Sequence, residues 1–179
     1  MQCPYCDHEN LPGADACENC GSSLTRDDVP QASTGVERSL MKDPVECLQP
    51  TRPLTVELQT SLEEAIQLMR NHGIGCVLIT DNGGKLIGIL TERDLLQKVA
   101  GQGLDLDQSI VGDFMSPAPE SSKPDHPLGY ALHRMIVSDI RYLPIVDSSG
   151  RPAGIVSSRD IVAYMAKHFQ SAAEPDTTL

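Results

Sequence analysis

Four of the six cysteines stand in two close pairs, Cys3-Pro4-Tyr5-Cys6 and Cys17-Glu18-Asn19-Cys20, with ten residues between the pairs. Two thiolates three residues apart can grip one side of a tetrahedral ion, and a second such pair completes four-coordination. Gly21 follows the second pair, where a tight turn favours a residue without a Cβ. The spacing predicts a structural Zn2+ held by Cys3, Cys6, Cys17 and Cys20, with no open position for catalysis. A redox-active pair would need a helix N-terminus in a larger fold, which so short a segment does not supply. Cys47 and Cys76 stand alone and read as buried thiols. Paired CxxC units in a chain whose N-terminus lacks the charged and apolar regions of an export signal favour metal over disulfides.

A second chemical pattern occurs twice. Gly88-Ile89-Leu90-Thr91-Glu92-Arg93-Asp94 recurs 66 residues later as Gly154-Ile155-Val156-Ser157-Ser158-Arg159-Asp160. Thr91 with Asp94, and Ser157 with Asp160, have the spacing of a helix capping box. The same groups also suit a ligand. A helix N-terminus with free N–H groups and a hydroxyl favours phosphate, and a nearby carboxylate can accept from both hydroxyls of a ribose. The duplication, and a glycine expected just before the last strand of each copy, favour the ligand reading. Arg93 and Arg159 could supply charge to a phosphate or simply be solvated.

The elements that carry these groups follow from one gapless register. The 66-residue offset pairs Pro53 with Pro119, Leu62 with Leu128, Ala65 with Ala131, Met69 with Met135, Ile79 with Ile145 and Asp81 with Asp147. Each copy reads as β-α-β-β-α. Leu54 to Leu58 alternates as a strand. Ser61 opens a helix with Glu64 completing a capping box, and Leu62, Ala65, Ile66 and Met69 form its apolar face. Cys76–Ile79 and Lys85–Leu90 flank a hairpin turn at Asp81, and Thr91 caps a further helix. The second copy repeats this with a helix from Pro127, strands at 142–146 and 152–156, and a helix from Ser157. The expected organisation is a zinc ribbon at 1–24, a linker at 25–44, repeat 1 at 45–104, repeat 2 at 105–170 with a connecting helix over Asp107–Met115, and a flexible tail at 171–179. With a linker between them, chelation is expected to unfold the ribbon and spare the repeats. Met69 and Met135 read as core. His72, His126 and His133 read as surface residues.

These repeats resemble CBS domains, named for cystathionine β-synthase, over roughly residues 45–168. The resemblance rests on the helix opened by Ser61-Leu62, the stretch Ile140-Arg141-Tyr142-Leu143-Pro144-Ile145-Val146-Asp147, and both hydroxyl–carboxylate motifs. It implies an α+β fold in which two repeats leave two clefts for adenosine-containing ligands such as AMP, ADP, ATP or S-adenosylmethionine. It implies that Thr91 and Ser157 face phosphate or ribose, that Asp94 and Asp160 bind ribose, and that Ile89 and Ile155 line the clefts. Adenine beside Ser157 and Asp160 would lie near Leu54, Ile74, Gly75 and Cys76, with Gly75 leaving the backbone unobstructed. Adenine beside Thr91 and Asp94 would lie near Ile140, Arg141 and Tyr142. Arg141 matches a position that often contacts phosphate, and its counterpart is Gly75. The resemblance also implies a homodimer through the repeats.

Composition bounds the function classes. The formal net charge is −11, there is no Trp, and aromatic residues make up 3%, so charge opposes nucleic acid and anionic membranes and base stacking lacks its platform. The first 24 residues contain no Lys or Arg, which turns the ribbon toward protein. No apolar run reaches membrane-spanning length. The chain reads as cytoplasmic and without catalysis, since no nucleophile–base pair or open metal site is left over. The leading expectation is a sensor of an adenine nucleotide acting on an unidentified protein target. A zinc-ribbon nucleic-acid regulator with a CBS switch, and a dimerisation scaffold with empty clefts, are the alternatives.

Overall fold

A computed structural model describes residues 3, 8–11, 13–24 and 35–171. The chain forms two compact units, neither of them a single run of sequence: residues 50–123 with 142–156, and residues 1–49 with 124–141 and 157–179.

The first unit is built on a four-stranded sheet in the order β1 (Thr55–Glu57), β2 (Cys76–Thr80), β3 (Leu86–Thr91), β4 (Ser116–Pro117). β1 runs parallel to β2, and the other pairings are antiparallel. The parallel crossover is α2 (Leu62–His72). Ser61 starts it by accepting from the Glu64 N–H at 3.2 Å, and Gly73 ends it at φ 62°, where a side chain would be strained. The expected apolar face of α2 is buried: Leu62, Ala65 and Met69 join Val56, Val77, Ile79, Leu90 and Val111 in one core, with Ile66 packed against it. The β2–β3 turn is set by Asp81, whose Oδ1 accepts from the Gly83 and Lys85 N–H groups. Asp147 does the same for Ser149 and Arg151 between β5 (Tyr142–Val146) and β6 (Pro152–Ser157). Past β3, α3 (Glu92–Asp94) continues into a π-helical turn over Leu95–Val99.

The expected connecting helix over Asp107–Met115 is absent; only a 3-10 turn forms, at Val111–Asp113. The backbone there is committed elsewhere. The carbonyls of Ser109 and Leu106 accept from the Leu62 and Glu63 N–H groups, and Val111 and Gly112 donate to Thr60 and Leu58. The first N–H groups of α2 lack partners within their own helix, and this segment satisfies two of them instead of coiling on itself.

The second unit holds α1 (Gly35–Lys42), α4 (Leu128–Val137), α5 (Ser158–Ser171) and a 3-10 turn at Val45–Leu48, together with the cysteine-rich segment. The expected linker over 25–44 therefore ends in a helix, while residues 25–34 lie outside the described residues. The α1 helix packs on α4 and α5. A Cβ on Gly129 would stand 3.2 Å from the Leu40 carbonyl oxygen, the Leu128 N–H donates to the Asp43 carbonyl at 2.9 Å, and the Tyr164 hydroxyl donates to the Asp43 carboxylate. About two turns with few apolar residues is too short to show a period in sequence, so tertiary packing made this helix. Of the expected tail, residues 172–179 lie outside the described residues. Among the described residues, no helix is long and apolar enough to cross a membrane.

Candidate functional site

Both hydroxyl–carboxylate motifs form at a strand-to-helix junction. In the first, Thr91 caps α3: its Oγ1 accepts from the Asp94 N–H at 3.2 Å, and its own N–H and hydroxyl donate to Asp94 Oδ2 at 2.9 and 2.6 Å. In the second, the Ser157 N–H and hydroxyl each donate to Asp160 Oδ2 at 2.7 Å. The capping geometry is thus present in both copies. The other carboxylate oxygen differs. Asp94 Oδ1 accepts from the Ser116 hydroxyl at 3.0 Å and pairs with Lys98 Nζ at 2.7 Å, and the residue is 7% exposed. Asp160 is exposed. Burial by itself would raise the Asp94 carboxyl; the bonds from Lys98, Thr91 and Ser116 outweigh it and hold the group below the usual carboxylate value.

The residue expected to contact phosphate lies beside the second motif. The Ser158 N–H donates to the Arg141 carbonyl at 2.9 Å, just as the Glu92 N–H donates to the Gly75 carbonyl at 2.9 Å in the first copy. The Arg141 side chain is exposed, and Ile140 before it is half-buried. Among the expected apolar contacts, Cys76, Ile89, Tyr142 and Ile155 come together in one cluster around Leu78. Leu54 and Ile74 are half-buried and pack against the main core of the sheet. The backbone at Gly75 is not unobstructed: a Cβ there would collide with the Tyr142 phenol, whose ring takes the space the glycine leaves. Burial, then the charge of Glu92, push the Cys76 thiol up to about 12. The glycines expected before the last strands lie inside them. A Cβ on Gly88 would collide with Met115, and one on Gly154 would stand 2.6 Å from Pro50 Cβ, so close approach of the neighbouring segment explains both.

Three of the four expected metal ligands converge. Cys3, Cys17 and Cys20 are buried, with their Sγ atoms all within 4.8 Å of one another; Cys6 lies outside the described residues. The Cys3 and Cys20 Sγ atoms are 3.7 Å apart. That is far beyond a disulfide bond of about 2.05 Å and close to the roughly 3.8 Å edge of a tetrahedron with zinc–sulfur bonds of about 2.3 Å. Asn10, which the spacing of the cysteines does not reveal, is 4% exposed; its amide donates to Cys17 Sγ at 3.5 Å and its Oδ1 accepts from the Glu18 N–H. A donor aimed at sulfur suits a thiolate ligand. The donor set therefore fits a divalent metal.

The cluster is not isolated from the repeats. Tyr130 of α4, 5% exposed, packs with Cys3, Cys17, Cys20 and Leu24. His126, expected at the surface, is buried and meets Tyr130 edge-on with ring centres 4.7 Å apart. Cys47, expected to be buried, is exposed.

The model of the CBS domain family matches residues 38–101 and 111–167. An uncharacterized protein of Methanopyrus kandleri is 42% identical over 104 residues, covering 58% of this chain and 53% of that protein, so the match spans about half of the relative's length. The CBS domain-containing protein YhcV of Bacillus subtilis is 35% identical over 111 residues, covering 62% of this chain and 77% of that protein. Among solved structures, the CBS domain pair of protein MJ0100, in complex with 5-methylthioadenosine and S-adenosyl-L-methionine, is 27% identical with a TM-score of 0.62, covering 69% of this chain and 96% of that one. Two copies of the sequence pattern, two copies of its strand-to-helix geometry and a family match across both agree: this chain belongs to the CBS domain family.

Proposed function

We propose that this chain is a non-catalytic regulatory module that senses an adenine nucleotide or related adenosyl ligand at its hydroxyl–carboxylate motifs and alters a protein contact in response. The observation that carries the reading is the motif itself, formed twice, each time with a hydroxyl and a carboxylate at a strand-to-helix junction. The adenosyl ligands bound by the CBS pair of MJ0100 support the ligand class. The motif at Ser157 and Asp160 is the stronger site. Arg141, anchored beside it through the Ser158 N–H, brings a cation where the other copy has Gly75. A charge-assisted bond to phosphate contributes on the order of 1.5–3 kcal/mol, roughly a tenfold to hundredfold preference.

Cys3, Cys6, Cys17 and Cys20 hold a structural Zn2+, which would tie the two knuckles of the ribbon together. The ribbon touches protein, not nucleic acid. The repeats assemble as a homodimer, for which exposed Ile136 and Val137 on α4 and Val162 and Phe169 on α5 supply apolar surface. The same surface favours a second reading, a dimerisation scaffold that needs no ligand.

Calorimetry of the full chain against AMP, ADP, ATP, NAD and S-adenosylmethionine tests the reading. At least one ligand binds. Asp160→Ala loses most of the AMP or ATP affinity, Arg141→Ala a large part, and Asp94→Ala little. Silence across the whole panel would leave the scaffold. Binding that ignores all three substitutions would remove these motifs from the site.

A further inference from the structure

The two ribose carboxylates are not equally available. An ionised carboxylate offers about four acceptor positions, and at Asp94 all four are taken from within the chain. The Thr91 N–H and hydroxyl fill Oδ2, and the Ser116 hydroxyl and Lys98 ammonium fill Oδ1. Lys98 is itself held in place, donating to the Phe114 carbonyl at 2.8 Å and the Met115 carbonyl at 3.4 Å. At Asp160 the Ser157 N–H and hydroxyl fill Oδ2 in the same way, and among the described residues Oδ1 accepts no hydrogen bond. The repeat register explains the difference. The position 66 residues after Lys98 is Tyr164, which carries no cation and whose hydroxyl donates to Asp43. The position 66 residues before Ser116 is Pro50, which has no hydroxyl.

We propose that Lys98 and Ser116 are built-in occupants of the first carboxylate, which close Asp94 to a ribose and set the chain to bind one nucleotide, at Asp160. The proposal rests on the nucleotide-sensing reading above and adds the residues that fix its stoichiometry. Two hydroxyls of an incoming ribose need two free acceptor positions. Asp160 offers them on Oδ1. Asp94 offers them only if the Lys98 and Ser116 bonds are given up.

The test is calorimetric titration of the full-length protein with AMP and, separately, S-adenosylmethionine. The wild type takes up one equivalent, and Asp160→Asn abolishes it. The double substitution Lys98→Met with Ser116→Ala exposes a second site, for a total of two equivalents, and adding Asp94→Asn returns the count to one. In an Asp160→Asn background the same double substitution restores uptake of one equivalent, at the first motif. Amide exchange at residues 114–116 checks the bonds without a ligand: it accelerates in Lys98→Met, while the thermal midpoint, read by circular dichroism, shows the fold intact. Two equivalents in the wild type, or one in the double variant, would overturn the clasp and leave nucleotide sensing standing. Weaker binding in the double variant would overturn it too, making Lys98 a ligand contact. If neither protein binds either probe, the nucleotide reading fails and the clasp with it.

Discussion

Gly154 and Cys76 illustrate how single positions in this fold are constrained by neighbours far along the chain. Gly154 lies in β6 with Pro50 across from it, so close that a Cβ would stand 2.6 Å from the proline ring. A proline ring cannot swing aside as a methionine chain can. Gly154→Ala is therefore expected to cost about 1–3 kcal/mol through overpacking, and Gly88→Ala less, because Met115 can adopt another rotamer. Denaturant unfolding of the two variants checks the order; an equal cost would mean that the proline side also yields. Cys76 makes a pH prediction. Its thiol is pushed from 9.0 to about 12 in the fold, so the folded state prefers the neutral form. The stability this contributes is present below pH 9 and is lost as pH rises toward 12, because the unfolded chain ionises first. Tyr164, raised from 10.0 to about 12 by burial and by its bond to Asp43, acts in the same direction. Thermal midpoints measured from pH 8 upward should fall, and Cys76→Ala should fall less steeply. A wild type and variant that track each other would remove Cys76 from the effect.

Among the elements, α4 connects the cysteine cluster to the repeats. Its Tyr130 shares one buried cluster with Cys3, Cys17, Cys20 and Leu24. A linker between ribbon and repeats would let chelation leave the repeats untouched. The contact with Tyr130 changes that expectation. Removing the metal should collapse the knuckles and expose Tyr130, seen as a rise in tyrosine accessibility by second-derivative absorbance or chemical modification. The sheet built on β1–β4, with its own core, should keep its amide protection. Tyr130→Ala should destabilise the protein by roughly 3 kcal/mol, as large-to-small aromatic changes do, and should weaken zinc retention in a competition with chelator. Unchanged tyrosine exposure on complete zinc removal would disconnect the two.

At the scale of the whole molecule, the net charge of −11 disfavours anionic partners, and the exposed apolar side chains of α4 and α5 favour self-association. Ile136 and Val162 are 70% and 63% exposed, which is costly to leave in water. Light scattering is expected to find a dimer at micromolar concentration, and Ile136→Glu with Val162→Glu to shift it to monomer while leaving the circular dichroism spectrum unchanged. A monomeric wild type, with and without AMP, would contradict it.

What the sequence by itself determined is what local spacing and duplication encode. The 66-residue register, the caps at Ser61, Thr91 and Ser157, the Asp81 and Asp147 turns and the apolar face of α2 each depend on residues a few positions apart, so a linear pattern carries them. The cysteine pairs are legible for the same reason, and Lys98, four residues after Asp94 on one helical face, could have been paired with it in advance. Tertiary structure alone decided the rest. Ser116 reaches Asp94 across 22 residues, Tyr142 fills the space over Gly75, Tyr130 packs on the cysteines, and residues 106–112 bond to the β1–α2 corner instead of forming a helix. Two motifs that read alike therefore differ in how many acceptor positions remain open. That count depends on which distant donors the fold brings to each carboxylate, and no short-range pattern records it.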